Sequence, residues 1–526
     1  MQRTLRDTPG VTLLLYDQTC AAEKRRRRKR GTFPDPQKRV VINELVCEGC
    51  GDCSAKSNCL SVVPVETEFG RKRAIDQSSC NKDYSCLKGF CPALVTVHGA
   101  QPKRGSPATL PQDLPALPEP QMAKIEHTYG IIVTGIGGTG VVTVGAIIGM
   151  AANLDGKACG VVDMAGLAQK GGAVLSYIRV AEKPEDIHAI RVPARGADLV
   201  LGGDIVVAGG KKVLAAMKPG ATKVVVNTHE LLPGAFTKNA DYSLPTERIK
   251  RALIEAAGRE QVRFVDATRL ANSLFGSTIA QNMFLLGYAY QLGGLPVSSE
   301  AILKALELNG EAVKVNQTAF TWGRRAALDP DYVQSLATPR EAGTDARKLS
   351  QSLDETIERR IAFLTAYQNS AYADRYRGLV GRVRNAEGGR VPGNERLAEA
   401  VARYLFKLMA YKDEYEVARL YTDGSFAKQI AASFDGDLKL EFHLAPPLLA
   451  KHDPVTGRPR KMNFGPWMMR AFDVLARFKF LRGTPFDPFG YSVERKTERR
   501  LIADYRATVE ELVKGVTPEN HALAVY

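Results

Sequence analysis

Residues 131–142 read IIVTGIGGTGVV, and this stretch decides the fold of the central part of the chain. An apolar run ends in a glycine turn, and an apolar helical stretch follows. Gly135, Gly137 and Gly140 stand in G-x-G-x-x-G spacing, with Gly138 as an extra glycine inside the turn. Between a strand and a helix, that spacing is the pattern of a dinucleotide-binding turn, whose phosphates sit on the helix N-terminus. Asp163, 23 residues past Gly140, stands where an acid would hold a ribose hydroxyl. A glycine turn that only packs helix against strand is an equally good reading of these residues.

Working outward, strand-like runs recur at 160–164 (GVVDM), 173–180 (AVLSYIRV), 198–203 (DLVLGG) and 223–228 (KVVVNT), with helical stretches between several of them. This alternation predicts a Rossmann-like α/β domain over 123–340, with a mostly parallel sheet. Lys170, Gly171 and Gly172 precede one of these strands, where paired glycines admit close approach by a ligand or partner, or simply make a turn. Residues 128–154 carry no charge but hold seven glycines and four threonines, so they read as strand, turn and helix rather than as a membrane span.

Upstream of this domain lies the strongest chemical signal. Seven of the nine cysteines fall between Cys47 and Cys91. The opening MQRTLRDTPG has no secretory pattern, which favours metal over disulfides and a cytoplasmic location. Cys47, Cys50 and Cys53 form a C-x2-C-x2-C triplet, and Cys91 precedes a proline. In the two-cluster ferredoxin pattern such a set holds one 4Fe–4S cluster, the fourth ligand coming from the distant run. Cys59, Cys80 and Cys86 remain, with Asp83 where a middle cysteine would stand. They predict a second cluster, either 4Fe–4S with Asp83 as ligand or 3Fe–4S with that corner empty. Zinc is the competing reading, but it favours separated cysteine pairs. Cys20 and Cys159 read as buried small residues.

The remaining segments frame these two units. Residues 1–40 contain VTLLLY (11–16), expected as a buried strand, and the basic run KRRRRKR (24–30). That run supplies seven of the +15 net charges and lacks aromatics to stack bases, so no nucleic acid is expected as a partner. Residues 41–100 form the cysteine-rich unit. Six prolines in 101–122 mark a semi-rigid linker. Residues 341–526 read as mainly helical, with one long helix over 397–421. Basic His452, Arg458 and Lys461 could meet a coenzyme A phosphate. His229 opens a loop after the 223–228 strand.

VCEGCGDCSAKSNCLSVVPVETEFGRKRAIDQSSCNKDYSCLKGFCP (46–92) resembles the ferredoxin-type segment of the fused indolepyruvate ferredoxin oxidoreductases. IIVTGIGGTGVV (131–142) and LAQKGGAVLS (167–176) are similar to that family's gamma-type pyruvate/ketoisovalerate oxidoreductase domain. YDQTCAAEKRRRRKRG (16–31) resembles the end of its thiamine-diphosphate-binding domain, and the region after about 350 resembles its C-terminal extension. The resemblance implies oxidative decarboxylation of an aryl 2-oxoacid, indolepyruvate, with coenzyme A. It also implies thiamine diphosphate with Mg, two iron–sulfur clusters, ferredoxin as electron acceptor, homo-oligomers and no membrane. No GDG thiamine signature occurs here, so the chain is expected to need a partner bearing the thiamine-binding half. Two other readings compete: an iron–sulfur NAD(P) or flavin oxidoreductase, and an electron-transfer subunit without chemistry of its own.

Overall fold

The computed structural model describes all residues except 104–109, 112–113, 167–171, 338–346, 447–456 and 458. The chain divides into two units. One comprises Met1–Lys103, Thr237–Ala240 and Glu341–Tyr526, and the other Arg104–Phe236 and Asp241–Arg340.

The second unit is built on a six-stranded sheet. Its order is Val262–Val265, Lys223–Asn227, Leu199–Gly202, Thr128–Ile136, Ala173–Ala181, Ala158–Ala165. The first three junctions are parallel and the last two antiparallel, so only Ala173–Ala181 runs against the rest. Thr128–Ile136 is buried along its whole middle, as a strand covered on both faces must be. Ile131 and Val133 point to one face, where the helices Val141–Leu154, Gln281–Gln291 and Val313–Leu328 pack. Ile132 points to the other, against Ile205, Val213 and Leu253. The result is a three-layer α/β sandwich. On the first face two helices cross in backbone contact. A Cβ on Gly323 would lie 1.9 Å from the carbonyl oxygen of Phe284, and one on Gly287 1.9 Å from that of Phe320.

The first unit holds the cysteines. Its four-stranded antiparallel sheet runs Lys38–Ile42, Leu94–His98, Lys439–Leu444, Met462–Phe464. Two of these strands thus come from the region expected to be helical. Around them lie helices, including Leu353–Tyr367, Ser370–Arg390, Arg396–Met409, Glu414–Thr422 and Val493–Gly515. Phe442, Phe472 and Tyr421 seal the sheet's apolar face with Val95 and Val97. Tyr421 also donates its hydroxyl to the carbonyl of Pro92 at 2.7 Å, tying a helix to the cysteine loop.

Three local expectations are corrected. VTLLLY forms no strand and is exposed, because none of the described residues covers it. Cys20 is exposed rather than buried. The 397–421 helix is two helices, because Asp413 caps a new one by accepting from the N–H of Glu416 at 2.8 Å. Among the described residues no helix is long and apolar enough to cross a membrane.

Candidate functional site

The loop from Cys47 to Cys53 turns on glycines. At Gly49 φ is +70°, and a Cβ there would meet the carbonyl oxygen of Arg71 at 2.1 Å. The loop therefore lies directly on the hairpin of Val62–Val65 and Lys72–Ile75. Backbone N–H groups point at the sulfurs: Gly49 to Cys47 at 3.3 Å, Ser61 to Cys59 at 3.4 Å and Lys82 to Cys80 at 3.4 Å. The N–H of Arg73 also reaches Cys47, and that of Ala93 reaches Cys91. Such N–H donors stabilise thiolate charge.

The thiols sort into two sets by which charges they feel. Cys53 is pushed up to about 11, first by burial and then by Cys47 and Cys50. Cys91 is pushed up to about 12 by burial and then by Cys47, with Cys53 adding to it. These four make one neighbourhood. Cys86 is pushed up to about 12 by burial, then by Cys80, Cys59 and Asp83, with Cys53 of the first set adding least. Burial also raises Cys80, with Cys59 and Asp83 adding to it. These make the second. Among the described residues no three His, Cys, Asp or Glu side chains converge closely enough to hold a single metal ion.

Asp83 is exposed, and its Oδ1 accepts from the N–H and the hydroxyl of Ser85 at 3.2 and 3.0 Å. On either side Lys82 and Tyr84 take left-handed φ values of 54° and 60°. Non-glycine residues there carry strain, which concentrates at functional loops. The basic helix Ala21–Lys29 braces this loop: Arg25 donates to the carbonyl of Ser79 at 3.2 Å and Arg28 to that of Asn81 at 2.7 Å. A cleft of about 400 Å³ beside Cys80 is lined by Arg25, Arg28, Arg39 and Lys82.

Three cations lie by the first set: Lys72, Arg73 and Lys461. Arg73 is 1% exposed and gives one N–H to the carbonyl of Ala240 at 3.1 Å. Its Nε and Nη1 find no partner among the described residues. Lys461 donates from Nζ to the carbonyl of Cys91 at 2.8 Å. Lys461 is also one of the three basic residues expected at a phosphate. Its expected companions there, His452 and Arg458, lie outside the described residues. Lys461 is separated from Cys91 by 370 positions, so no local pattern could have revealed it.

The glycine turn is folded upon itself. The N–H of Gly137 is given to the carbonyl of Gly172 at 2.8 Å, so the two glycine motifs meet. Lys170 and Gly171 lie outside the described residues. Gly140 has φ +91° and abuts Asn282, whose side chain donates to the carbonyl of Thr139. Gly135 would drive a Cβ into Val141 at 2.6 Å, and Gly138, at φ +88°, faces open space. Asp163 does not come to this turn. It lies exposed on the edge strand, opposite Ser176, and Ala173–Ala181 intervenes between it and Thr128–Ile136. The antiparallel insertion breaks the adjacency a ribose-binding acid needs. His229 stands 3.9 Å from Asp266 at the start of its loop. Next to the turn is a mostly apolar cleft of about 340 Å³ lined by Ile136, Leu175, Leu231 and the buried Asp204.

Residues 130–326 match the family "Pyruvate ferredoxin/flavodoxin oxidoreductase", and residues 353–526 match a family of unknown function. The indolepyruvate oxidoreductase subunit IorB of Pyrococcus horikoshii is 31% identical over 203 residues, which are 38% of this chain and 96% of that protein. The protein of the same name from Thermococcus kodakarensis is 29% identical over the same shares. The solved gamma subunit of a keto/oxoacid ferredoxin oxidoreductase from Geobacter sulfurreducens is 24% identical, covering 38% of this chain and 98% of that one, with a TM-score of 0.28. The stretch over 130–326 is thus the part matched to these oxidoreductase subunits, and through it the chain belongs to the 2-oxoacid:ferredoxin oxidoreductase family.

Proposed function

We propose that this chain is the electron-carrying and gamma-type part of an enzyme that oxidatively decarboxylates an aryl 2-oxoacid of the indolepyruvate class. Coenzyme A takes the acyl group and ferredoxin takes the electrons. Thiamine diphosphate, with Mg, belongs to a partner bearing the thiamine-binding half, and residues 1–40 are the end of that domain. The observation that carries the reading is the gathering of seven free thiols in one small unit whose backbone N–H groups point at the sulfurs.

The residues fit iron–sulfur clusters. A cluster spreads its thiolates over separate iron corners, so it needs neighbouring thiols rather than one closed shell. Cys47, Cys50, Cys53 and Cys91 would hold the first cluster. Cys59, Cys80 and Cys86 would hold the second, with Asp83 at its fourth corner. The orphaned Nε and Nη1 of Arg73 are buried beside the first set, where sulfur acceptors would satisfy them. Bound clusters would supply one-electron storage, so that the two electrons of a decarboxylation leave singly. The chain's own work is to exclude water, with Val46, Leu94 and Phe442 buried in the same core, and to donate N–H groups to the sulfurs.

Anaerobic preparation with iron and sulfide counting, and EPR before and after dithionite, tests this. About eight irons with two reduced-cluster signals support it. Zinc without sulfide refutes it.

A further inference from the structure

Besides Lys72, which acts on Cys47, the first thiol set is flanked by two cations from distant parts of the chain. Arg73 comes from the hairpin inside the cysteine-rich segment, and its charge acts on Cys53, Cys47 and Cys50. Lys461 leads into the strand Met462–Phe464, and its charge acts on Cys91, Cys53, Asp52 and Cys86. Neither makes an ion pair among the described residues. The second set has cations of its own: Lys82 is paired with Asp35 at 2.5 Å, and Arg39 acts on Cys80. Asp83 adds a negative charge to that second set.

A buried cation without a counter-ion is costly, and is tolerated where an anion sits against it. A cluster on four thiolates is such an anion, and it gains one further negative charge on reduction. Coulomb attraction at short range in a water-poor site therefore favours the reduced form. Charge and burial around a cluster are the protein's levers on its potential.

Resting on the cluster reading above, we propose that Arg73 and Lys461 raise the reduction potential of the cluster on Cys47, Cys50, Cys53 and Cys91. The step is a plain one-electron transfer. The 2-oxoacid, in being oxidised, would give up two electrons one at a time; Cys47, Cys50, Cys53 and Cys91 would hold the group that stores one of them, and ferredoxin would take it. No bond breaks and no proton moves on the chain. This assigns work to the region that matches a family of unknown function: it adds the strands Lys439–Leu444 and Met462–Phe464 to the sheet and so carries Lys461 to Cys91.

The test is an EPR-monitored redox titration of the full chain, loaded anaerobically, with the Cys86→Ser variant identifying the second signal by its loss. Lys461→Met and Arg73→Met are expected to shift the first midpoint to lower potential and to move the second less. Lys461→Arg, which keeps the charge, is expected to stay near wild type. Asp52→Asn removes an acid that acts on Lys461, and is expected to shift the first midpoint upward even if the methionine variants load poorly. Loaded clusters with unmoved midpoints overturn the inference alone, as does Lys461→Arg shifting as far as Lys461→Met. A wild-type chain that binds no iron overturns the cluster reading and this inference with it.

Discussion

Arg482 grips the carboxylate of Asp413 with two N–H groups, Nη2 lying 2.8 Å from Oδ1, and both residues are buried. The guanidinium also lies 3.7 Å from the ring centre of Tyr367 and donates to that residue's carbonyl at 2.7 Å. One side chain thus joins three helical segments. Breaking a buried pair leaves an uncompensated charge, at a cost of about 3–5 kcal/mol. Arg482→Ala is therefore expected to lower the urea midpoint of its unit strongly. Arg477→Ala, which breaks the exposed pair with Asp473, is expected to cost under about 0.5 kcal/mol. Similar shifts in the two variants would refute the assignment.

The helix crossing in the α/β unit makes a prediction of opposite sign at two glycines. Alanine normally improves a helix by about 0.5–1 kcal/mol. At Gly323 the added methyl meets the Phe284 carbonyl and the helices must part, so Gly323→Ala is expected to destabilise by about 1–3 kcal/mol. At Gly388, on an exposed helix face with open space, Gly388→Ala is expected to stabilise. Calorimetric midpoints of both variants check this.

His443 ties three strands together. Its Nε2 pairs with the hydroxyl of Thr96 at 2.8 Å and its Nδ1 with Oδ1 of Asn463 at 2.9 Å. Burial pulls its pKa down, opposed by Asn463 and Glu441 and reinforced by Lys461 and His98. The folded chain thus stays neutral here at pH values where the unfolded chain, titrating near about 6.5, already binds a proton. This contribution is complete above about pH 7.5 and is lost as pH falls below about 6.5. Wild type is expected to lose more stability between about pH 7.5 and 5.5 than His443→Gln. Parallel pH slopes for the two proteins would sink the prediction.

Asp83 stands at the contested corner of the second thiol set. In the proposed 4Fe–4S arrangement, Asp83→Ala is expected to remove about one iron per chain and to convert one signal to a 3Fe–4S type. Asp83→Cys is expected to keep the full iron count. An unchanged iron count in Asp83→Ala would leave Asp83 only its turn-closing bonds to Ser85.

The buried strands were legible in the sequence because a strand covered on both faces must be a continuous apolar run, as IIVTG and KVVVNT are. Val262–Val265 was missed, being short and interrupted by Arg263. Lys439–Leu444 was missed because its register is set by Leu94–His98, far away in the chain. VTLLLY shows the converse: apolar residues form a strand only where something covers them. At the candidate site, sulfur donors announce themselves by spacing. The cations that flank them do not, since Arg73 and Lys461 are ordinary basic residues until the fold brings them to the thiols. Asp163 misled because distance along the chain says nothing of a strand inserted between its own and the glycine turn.

Thr96 and His443 are 347 positions apart, yet they bond within one sheet. A ribosome adds roughly 5–20 residues per second, so about 20–75 s separate the emergence of Cys91 from that of the strand ending at Phe464. During that interval the cysteine loops lack two strands of their sheet and the lysine that closes over Cys91. On the proposed cluster reading, the nascent chain would offer its thiols to a loading machinery while they are still accessible, and would cover them only once the strand ending at Phe464 has emerged. A cell that translates this chain faster than it can deliver iron and sulfide would accumulate closed, empty protein.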